Sequence, residues 1–325
     1  MNSHSYLMPT ALLSTALCLL FTAGVAFAQQ PGAAPSNREY RLQALYRAGV
    51  AQNYEMVEQT TVERTHSDSS KKTYSRSVKY FVATRCIESQ DGVSRLVVNI
   101  DSLIYNFKGE GAEISYDSQK DITPKVFPDL NSYIGPLNRT FELTVSPYGE
   151  VSKVSGEQID FWRDYLEQNA NDLDTLLYTI WMQSLERENL LQYGDIQRRV
   201  IPGKRKAVDS TWMHDLSLRI DGVNYGGKVT SRLAEFSGGV YTLITKDTIR
   251  AGKNQTAHVY GIPSVTQVLD GGAVVDNTLM LTSSGTINEV TCLVSAWMRA
   301  RIHSEVFTQR ITSTTLWKLT GQYQW

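Results

Sequence analysis

Residues 82–96 read VATRCIESQDGVSRL, and residues 229–243 read VTSRLAEFSGGVYTL. Val82, Arg85, Glu88, Gly92, Val93 and Leu96 recur 147 positions later as Val229, Arg232, Glu235, Gly239, Val240 and Leu243. In both stretches alternating β-formers run into a glycine turn and out again, which predicts an antiparallel hairpin. A second set follows the same order. Thr140, Leu143 and Thr144 recur as Thr278, Leu281 and Thr282; after a short gap in the turn, Gly149, Val151 and Val154 align with Gly285, Ile287 and Val290. Two related β units are therefore expected, since repeats in a fixed order indicate repeated supersecondary structure.

Outward from these hairpins the pattern continues. Strands are expected at 54–64, 73–88, 93–107, 139–146, 151–154, 210–220, 225–236, 240–249, 278–283, 286–292 and 299–319. The stretch 295–303 reads equally as helix. Short turns between successive strands require antiparallel pairing. The middle of the chain breaks the pattern. Ile159, Trp162 and Leu166, then Leu173, Leu176, Leu177, Ile180, Trp181 and Leu185, fall at helical spacing. The expected fold is mainly β (α+β): two antiparallel units as curved sheets or open half-barrels, with a central helical insert. The expected divisions are 1–28 signal peptide, 29–38 flexible leader, 39–156 first β unit, 157–200 helical insert and linker, and 201–325 second β unit.

The chain has 325 residues, with 32 Lys and Arg against 33 Asp and Glu, and 42% hydrophobic residues. This excludes a disordered chain and a nucleic-acid binder that works by bulk positive charge. The first 28 residues carry no Lys, Arg, Asp or Glu and end in Ala26-Phe27-Ala28. An apolar run before an A-x-A site predicts an export signal cleaved after Ala28 and a periplasmic or extracellular protein. The alternative is an uncleaved segment that tethers the chain to a membrane; otherwise no transmembrane span is expected. Cys18 follows Leu17, not the small residue that a lipid anchor needs. Cys86 and Cys292 remain, either as one disulfide or as two buried thiols.

Three segments carry a resemblance. They are Leu45-Tyr46-Arg47-Ala48-Gly49 followed by Tyr54, Lys206-Ala207-Val208-Asp209-Ser210-Thr211-Trp212, and the hairpin Thr140–Gly156. Together they resemble an uncharacterised family of secreted bacterial β-rich proteins, a domain of unknown function. The resemblance implies that the first segment opens a long strand. In the second, Asp209 stands close to where the family has glycine. The family is similar in outline to envelope lipid carriers, which are open β half-barrels with helices in the concavity.

No sequence motif supplies catalysis. His66, His214, His258 and His303 are far apart, without metal-ligand spacing. Ser264 lacks the second glycine of a nucleophile elbow. No phosphate-binding glycine loop is present, and no cofactor is expected. Asp172 and Asp174 read as helix first-turn acids, and Glu186 and Glu188 lie two apart, which on a helix points them to different sides. Asp117, Asp121 and Asp129 read as solvated loop acids. Arg198, Arg199, Lys204, Arg205 and Lys206 form a basic linker that would suit lipid head groups. The ligand-binding candidates are the apolar residues of the insert: Trp162, Tyr165, Leu177, Tyr178 and Trp181. The expected function is that of an exported non-enzymatic protein binding a hydrophobic or amphipathic ligand between curved sheet and helices. The alternative is an envelope structural or protein-interaction protein with a filled core. An enzyme with a site that leaves no local motif is a third reading.

Overall fold

Along the first strand, β1 (Val50–Thr65), Tyr54, Met56, Thr60, Val62 and Arg64 are buried, while Glu55, Val57, Gln59, Thr61 and Glu63 are more exposed. That period of two places one face against a core and one toward solvent. The computed structural model describes residues 38–109, 111–121, 127–172, 175–257, 259 and 265–325. The expected signal peptide, Cys18, residues 29–37 of the expected leader, Leu173, Asp174, His258 and Ser264 lie outside them, as does the side chain of Leu176.

The first half continues with β2 (Lys71–Gln90), β3 (Val93–Gly109), β4 (Ala112–Asp117), the short helix α1 (Pro128–Ile134), β5 (Phe141–Val145) and β6 (Val151–Ser155). Helices α2 (Glu157–Gln168), α3 (Thr175–Ser184) and α4 (Arg187–Leu190) and a 3-10 turn (Leu191–Tyr193) follow. The second half comprises β7 (Thr211–Ile220), β8 (Val223–Ser237), β9 (Val240–Ala251), β10 (Thr256–Ala257), β11 (Thr266–Thr282), β12 (Ile287–Ile302) and β13 (Glu305–Gln324). Residues 295–302 are therefore strand, which settles the open reading of 295–303.

All strands among the described residues belong to one antiparallel sheet, ordered β6-β5-β3-β2-β1-β13-β12-β11-β9-β8-β7, with β4 added to β3 and β10 to β11. The two β halves are thus not separate sheets: β1 and β13 pair along the whole of β1, from Val50–Gln324 to Thr65–Thr308. The sheet is not closed into a barrel. It ends at β6 and β7, and residues 156–210 carry the chain from one edge to the other.

The repeat is visible in the ladder. Cys86 faces Leu96 and Glu88 faces Arg95, so Ile87 is an extra residue in β2. Leu233 faces Leu243 and Glu235 faces Thr242, so Ala234 is the extra residue in β8, at the equivalent position. The second hairpins agree as well. Ser152 is extra between Val151 and Lys153, and Asn288 is extra between Ile287 and Glu289. Ser146 N donates to Glu150 O at 2.8 Å, and Thr282 N donates to Thr286 O at 2.9 Å. These equivalences match Val145 to Leu281 with no gap in the turn. They correct the expected match of Leu143 to Leu281 by two residues. A two-residue slip keeps every side chain on its proper face, so alternation alone could not detect it.

The Leu45–Gly49 segment is not a strand. It is a strap across the sheet end, where Ala44 N donates to Pro147 O and Leu45 N to Gly285 O, joining the two equivalent turns. Gly49, with φ of +77°, then turns the chain into β1. Asp209 has φ of +66°. It takes the left-handed conformation that a glycine there would favour, and Asp is among the few residues that tolerate it.

Candidate functional site

The helical insert does not fill the space over the sheet. A cavity of about 550 Å3 remains between the inner face and the helices. Its floor comes from alternate residues of the central strands: Met56 and Glu58 on β1, Arg76 and Tyr80 on β2, Ser313, Thr315 and Trp317 on β13. Its roof includes Tyr133 of α1, Ile180 and Ser184 of α3, Tyr193, and Asp195 and Arg198 beyond it. The hairpin tip between β7 and β8 forms one wall through Ile220 and Asp221.

That tip shows how far the sheet curls. Asp221 and Gly222 both have positive φ, +48° and +79°, as a type I′ turn requires. From there the Asp221 carboxylate reaches the middle of the sheet. Its Oδ2 accepts from the Tyr74 hydroxyl at 3.1 Å and from Gln309 Nε2 at 2.6 Å. Gln309 Oε1 in turn accepts from Arg64 Nε at 2.9 Å.

A buried polar cluster lines the same space. Arg76 Nη1 donates to Asp129 Oδ1 at 2.9 Å, and Arg76 Nε to Glu58 Oε1 at 3.3 Å. Arg76 Nη1 lies 3.8 Å from Asp221 Oδ1. The Tyr105 hydroxyl donates to Asp129 Oδ2 at 2.6 Å. Burial pushes the Asp129 carboxyl above the usual carboxylate range, and the neighbouring guanidinium pulls it part of the way back. Burial also pushes Asp195 up to about 7, against the backbone N–H and side chain of Arg199.

Asp129 therefore is not a solvated loop acid. Its segment forms α1, begun by a proline in the first turn, and that helix carries Asp129 inward. Asp117 and Asp121 are surface groups, the former paired with Lys120 at 2.7 Å. Glu186 pairs with Arg219 at 3.6 Å, and Glu188 lies on the cavity rim. The basic linker is divided: Arg198 lines the cavity, Arg199 holds Asp195, and Lys206 sits over the Trp212 ring at 5.4 Å.

The residues proposed from the helical pattern lie elsewhere. Trp162 and Trp181 pack together, ring centres 6.4 Å apart, beside a second and more open hollow of about 830 Å3. Arg139 stands 4.1 Å above Trp162, its guanidinium pushed down to about 10 by burial. Tyr165 is exposed at the edge of this cluster and packs against Trp162. Leu177 and Tyr178 are half-buried and line neither space. The cavity-lining Arg76, Glu58, Tyr80 and Asp221 escaped sequence reading. Glu58 and Arg76 do sit on the apolar phase of strongly alternating strands, and that was the available signal.

Cys86 and Cys292 are two buried free thiols, not a disulfide. Burial raises both above the usual thiol range. His66 pairs with Glu305 at 2.9 Å. His214 Nε2 lies 2.8 Å from the Oγ of the completely buried Ser231, and its Nδ1 lies 3.3 Å from the Asp215 backbone carbonyl. Among the described residues no group of three His, Cys, Asp or Glu side chains is placed to hold a metal ion. No helix among them is long and apolar enough to cross a membrane.

Fold and site define an open antiparallel sheet protein with a cavity under a helical cover. The chain belongs to a family of unknown function (DUF6263), which matches residues 91–291. No curated protein matches it. Among solved structures it is similar to lipovitellin, described for its lipid–protein interactions, at 11% identity and a TM-score of 0.42. That match covers 86% of this chain and 26% of the lipovitellin chain. Neisserial surface protein A is similar at 7% identity and a TM-score of 0.21, covering 82% of this chain and 97% of its own. Pseudomonas aeruginosa OpdQ is similar at 6% identity and a TM-score of 0.24, covering 83% and 99%. Likenesses this distant carry no functional argument.

Proposed function

We propose that this is an exported, non-enzymatic binding protein that holds a small amphipathic molecule between its sheet and its helices. The observation that carries this reading is the cavity of about 550 Å3. Small-molecule sites typically span about 300–1,000 Å3 and combine apolar walls with a few placed polar groups. Met56, Ile180, Ile196, Val294 and Trp317 supply the apolar wall, and the Arg76 cluster supplies the polar end. Export rests on the apolar leader ending at Ala28, and places the protein in the periplasm or outside the cell; an uncleaved leader would instead tether it to the membrane.

The test is native mass spectrometry of the full chain after expression with its leader and purification without detergent. Extra mass that leaves with organic solvent supports the reading, and the extract names the ligand class. A bare monomer mass counts against it. A start at Gln29 in the same spectrum supports export with cleavage.

A second reading, a protein-interaction role, is favoured by the outer face of β11 and β12. There Val274, Leu293 and Trp297 are 48%, 42% and 48% exposed. Exposed apolar side chains grouped on one face mark contact surfaces. A discrete oligomer without bound ligand in the same spectrum would favour it.

A further inference from the structure

Three carboxylates share one guanidinium at the polar end of the cavity. Glu58, Asp129 and Asp221 lie 3.3, 2.9 and 3.8 Å from nitrogens of Arg76. Arg76, Glu58, Asp129 and Asp221 are 7%, 18%, 6% and 3% exposed. Round the whole cavity Glu58, Asp129, Glu188, Asp195 and Asp221 stand against Arg76, Arg198 and Arg219, five acidic side chains to three basic ones. Buried charge is costly unless compensated, so the cluster favours a further positive partner.

A line of aromatic rings borders the same carboxylates. The Tyr133 hydroxyl is 3.5 Å from Glu58 Oε1. Tyr133 and Tyr80 are 6.3 Å apart, Tyr80 and Tyr193 meet edge-on at 6.4 Å, and Tyr193 and Trp317 at 6.1 Å. Tyr80 and Trp317 flank Met56 on the neighbouring strands, so the line crosses the floor next to Glu58. The negative faces of such rings attract ammonium groups and repel anions. Charge and aromatic surface therefore select the same sign. Among the described residues no cluster suits a metal ion, and an organic cation needs no coordination sphere.

We propose that the molecule held in this cavity carries an ammonium or quaternary ammonium group. The group sits against Glu58 and the Tyr80, Tyr193 and Trp317 rings, with its apolar part toward Ile180 and Val294. This rests on the cavity being a ligand site. An anionic amphiphile such as a fatty carboxylate would meet more acidic than basic side chains in the cavity lining.

The experiment is calorimetric titration of the full chain with three probes that each carry a ten-carbon chain, below their micellar concentrations. They are decyltrimethylammonium, decanoate and neutral 1,2-decanediol. The ammonium should bind at least about tenfold more tightly than decanoate, within the range of a desolvated cation–π contact plus a carboxylate. Glu58→Gln should remove that preference, with the circular dichroism spectrum retained. Tyr193→Leu is the companion variant and should also weaken the ammonium selectively. Equal or tighter binding of decanoate, or a preference that survives both variants, overturns the inference while leaving the cavity as a ligand site. Binding of none of the three probes overturns the cavity reading and this inference with it.

Discussion

Arg76 of β2 donates to Oδ1 of Asp129 on α1 at 2.9 Å, and through it the central sheet holds the first helix over the cavity. Arg76 serves three carboxylates, whereas Asp129 has a second donor in Tyr105. The two partners are therefore unequal. Arg76→Ala leaves Glu58, Asp129 and Asp221 without the guanidinium they share and should cost about 3–5 kcal/mol. Asp129→Asn leaves Arg76 with Glu58 and Asp221 and should cost about 1–3 kcal/mol. Urea denaturation of both variants checks the order. A larger loss for Asp129→Asn would show that the cluster is not organised around the guanidinium.

Asp195 gives the fold a pH dependence of defined sign. Its carboxyl titrates at about 7 in the native protein, against an ordinary 3.8. Between these values the native state holds a proton that the unfolded chain has lost, so this contribution is full below about 4 and declines as pH rises through about 7. Asp195→Asn removes the dependence. The variant should gain stability over the parent at pH 8, and the gain should vanish toward pH 4. Denaturation midpoints across that range decide it, and a difference that stays constant with pH would sink the assignment.

Much of the architecture was legible because β structure writes itself with a period of two. Val82–Leu96 and Val229–Leu243 revealed the repeat, and the ladder carries that repeat down to the equivalent extra residues Ile87 and Ala234. The joining of both halves into one sheet was not legible. It depends on β1 meeting β13, strands from opposite ends of the chain, and no local pattern encodes so distant a pairing. The cavity was half legible. The apolar stripe of Trp162 and Trp181 marks a helical face, but the stripe says nothing of which face meets the sheet. Glu58, Arg76 and Asp129 were hidden because charged residues are read as solvated until a partner is known. Here the partners lie on β1, β2 and α1.

The two cysteines supply a check that needs no ligand. Cys86 packs in the core of the first half, its Sγ 3.3 Å from the Glu88 carbonyl, and Cys292 is buried on β12. Buried thiols whose ionisation is disfavoured react slowly. Both should resist iodoacetamide in the native protein at pH 8. Both should alkylate fully in denaturant without any reductant, as peptide mass mapping would show. Recovery of a cross-linked Cys86–Cys292 peptide would contradict the structure.

Trp181 separates the two hollows experimentally. It lines the open hollow beside Trp162, whereas Ile180 and Ser184 of the same helix line the cavity over the sheet. Trp181→Ala removes a half-buried ring and should cost about 1–3 kcal/mol, less than the roughly 3–5 of a fully buried aromatic. It should leave ligand retention in the cavity over the sheet intact. Trp317→Ala should have the opposite profile, because its ring borders the cavity and packs on Tyr193 at 6.1 Å. It should lose the retained mass in native spectra even where the fold persists. If Trp181→Ala alone abolished retention, the ligand would belong to the aromatic hollow of α2 and α3, and the Arg76 cluster would be a structural tie between sheet and helix.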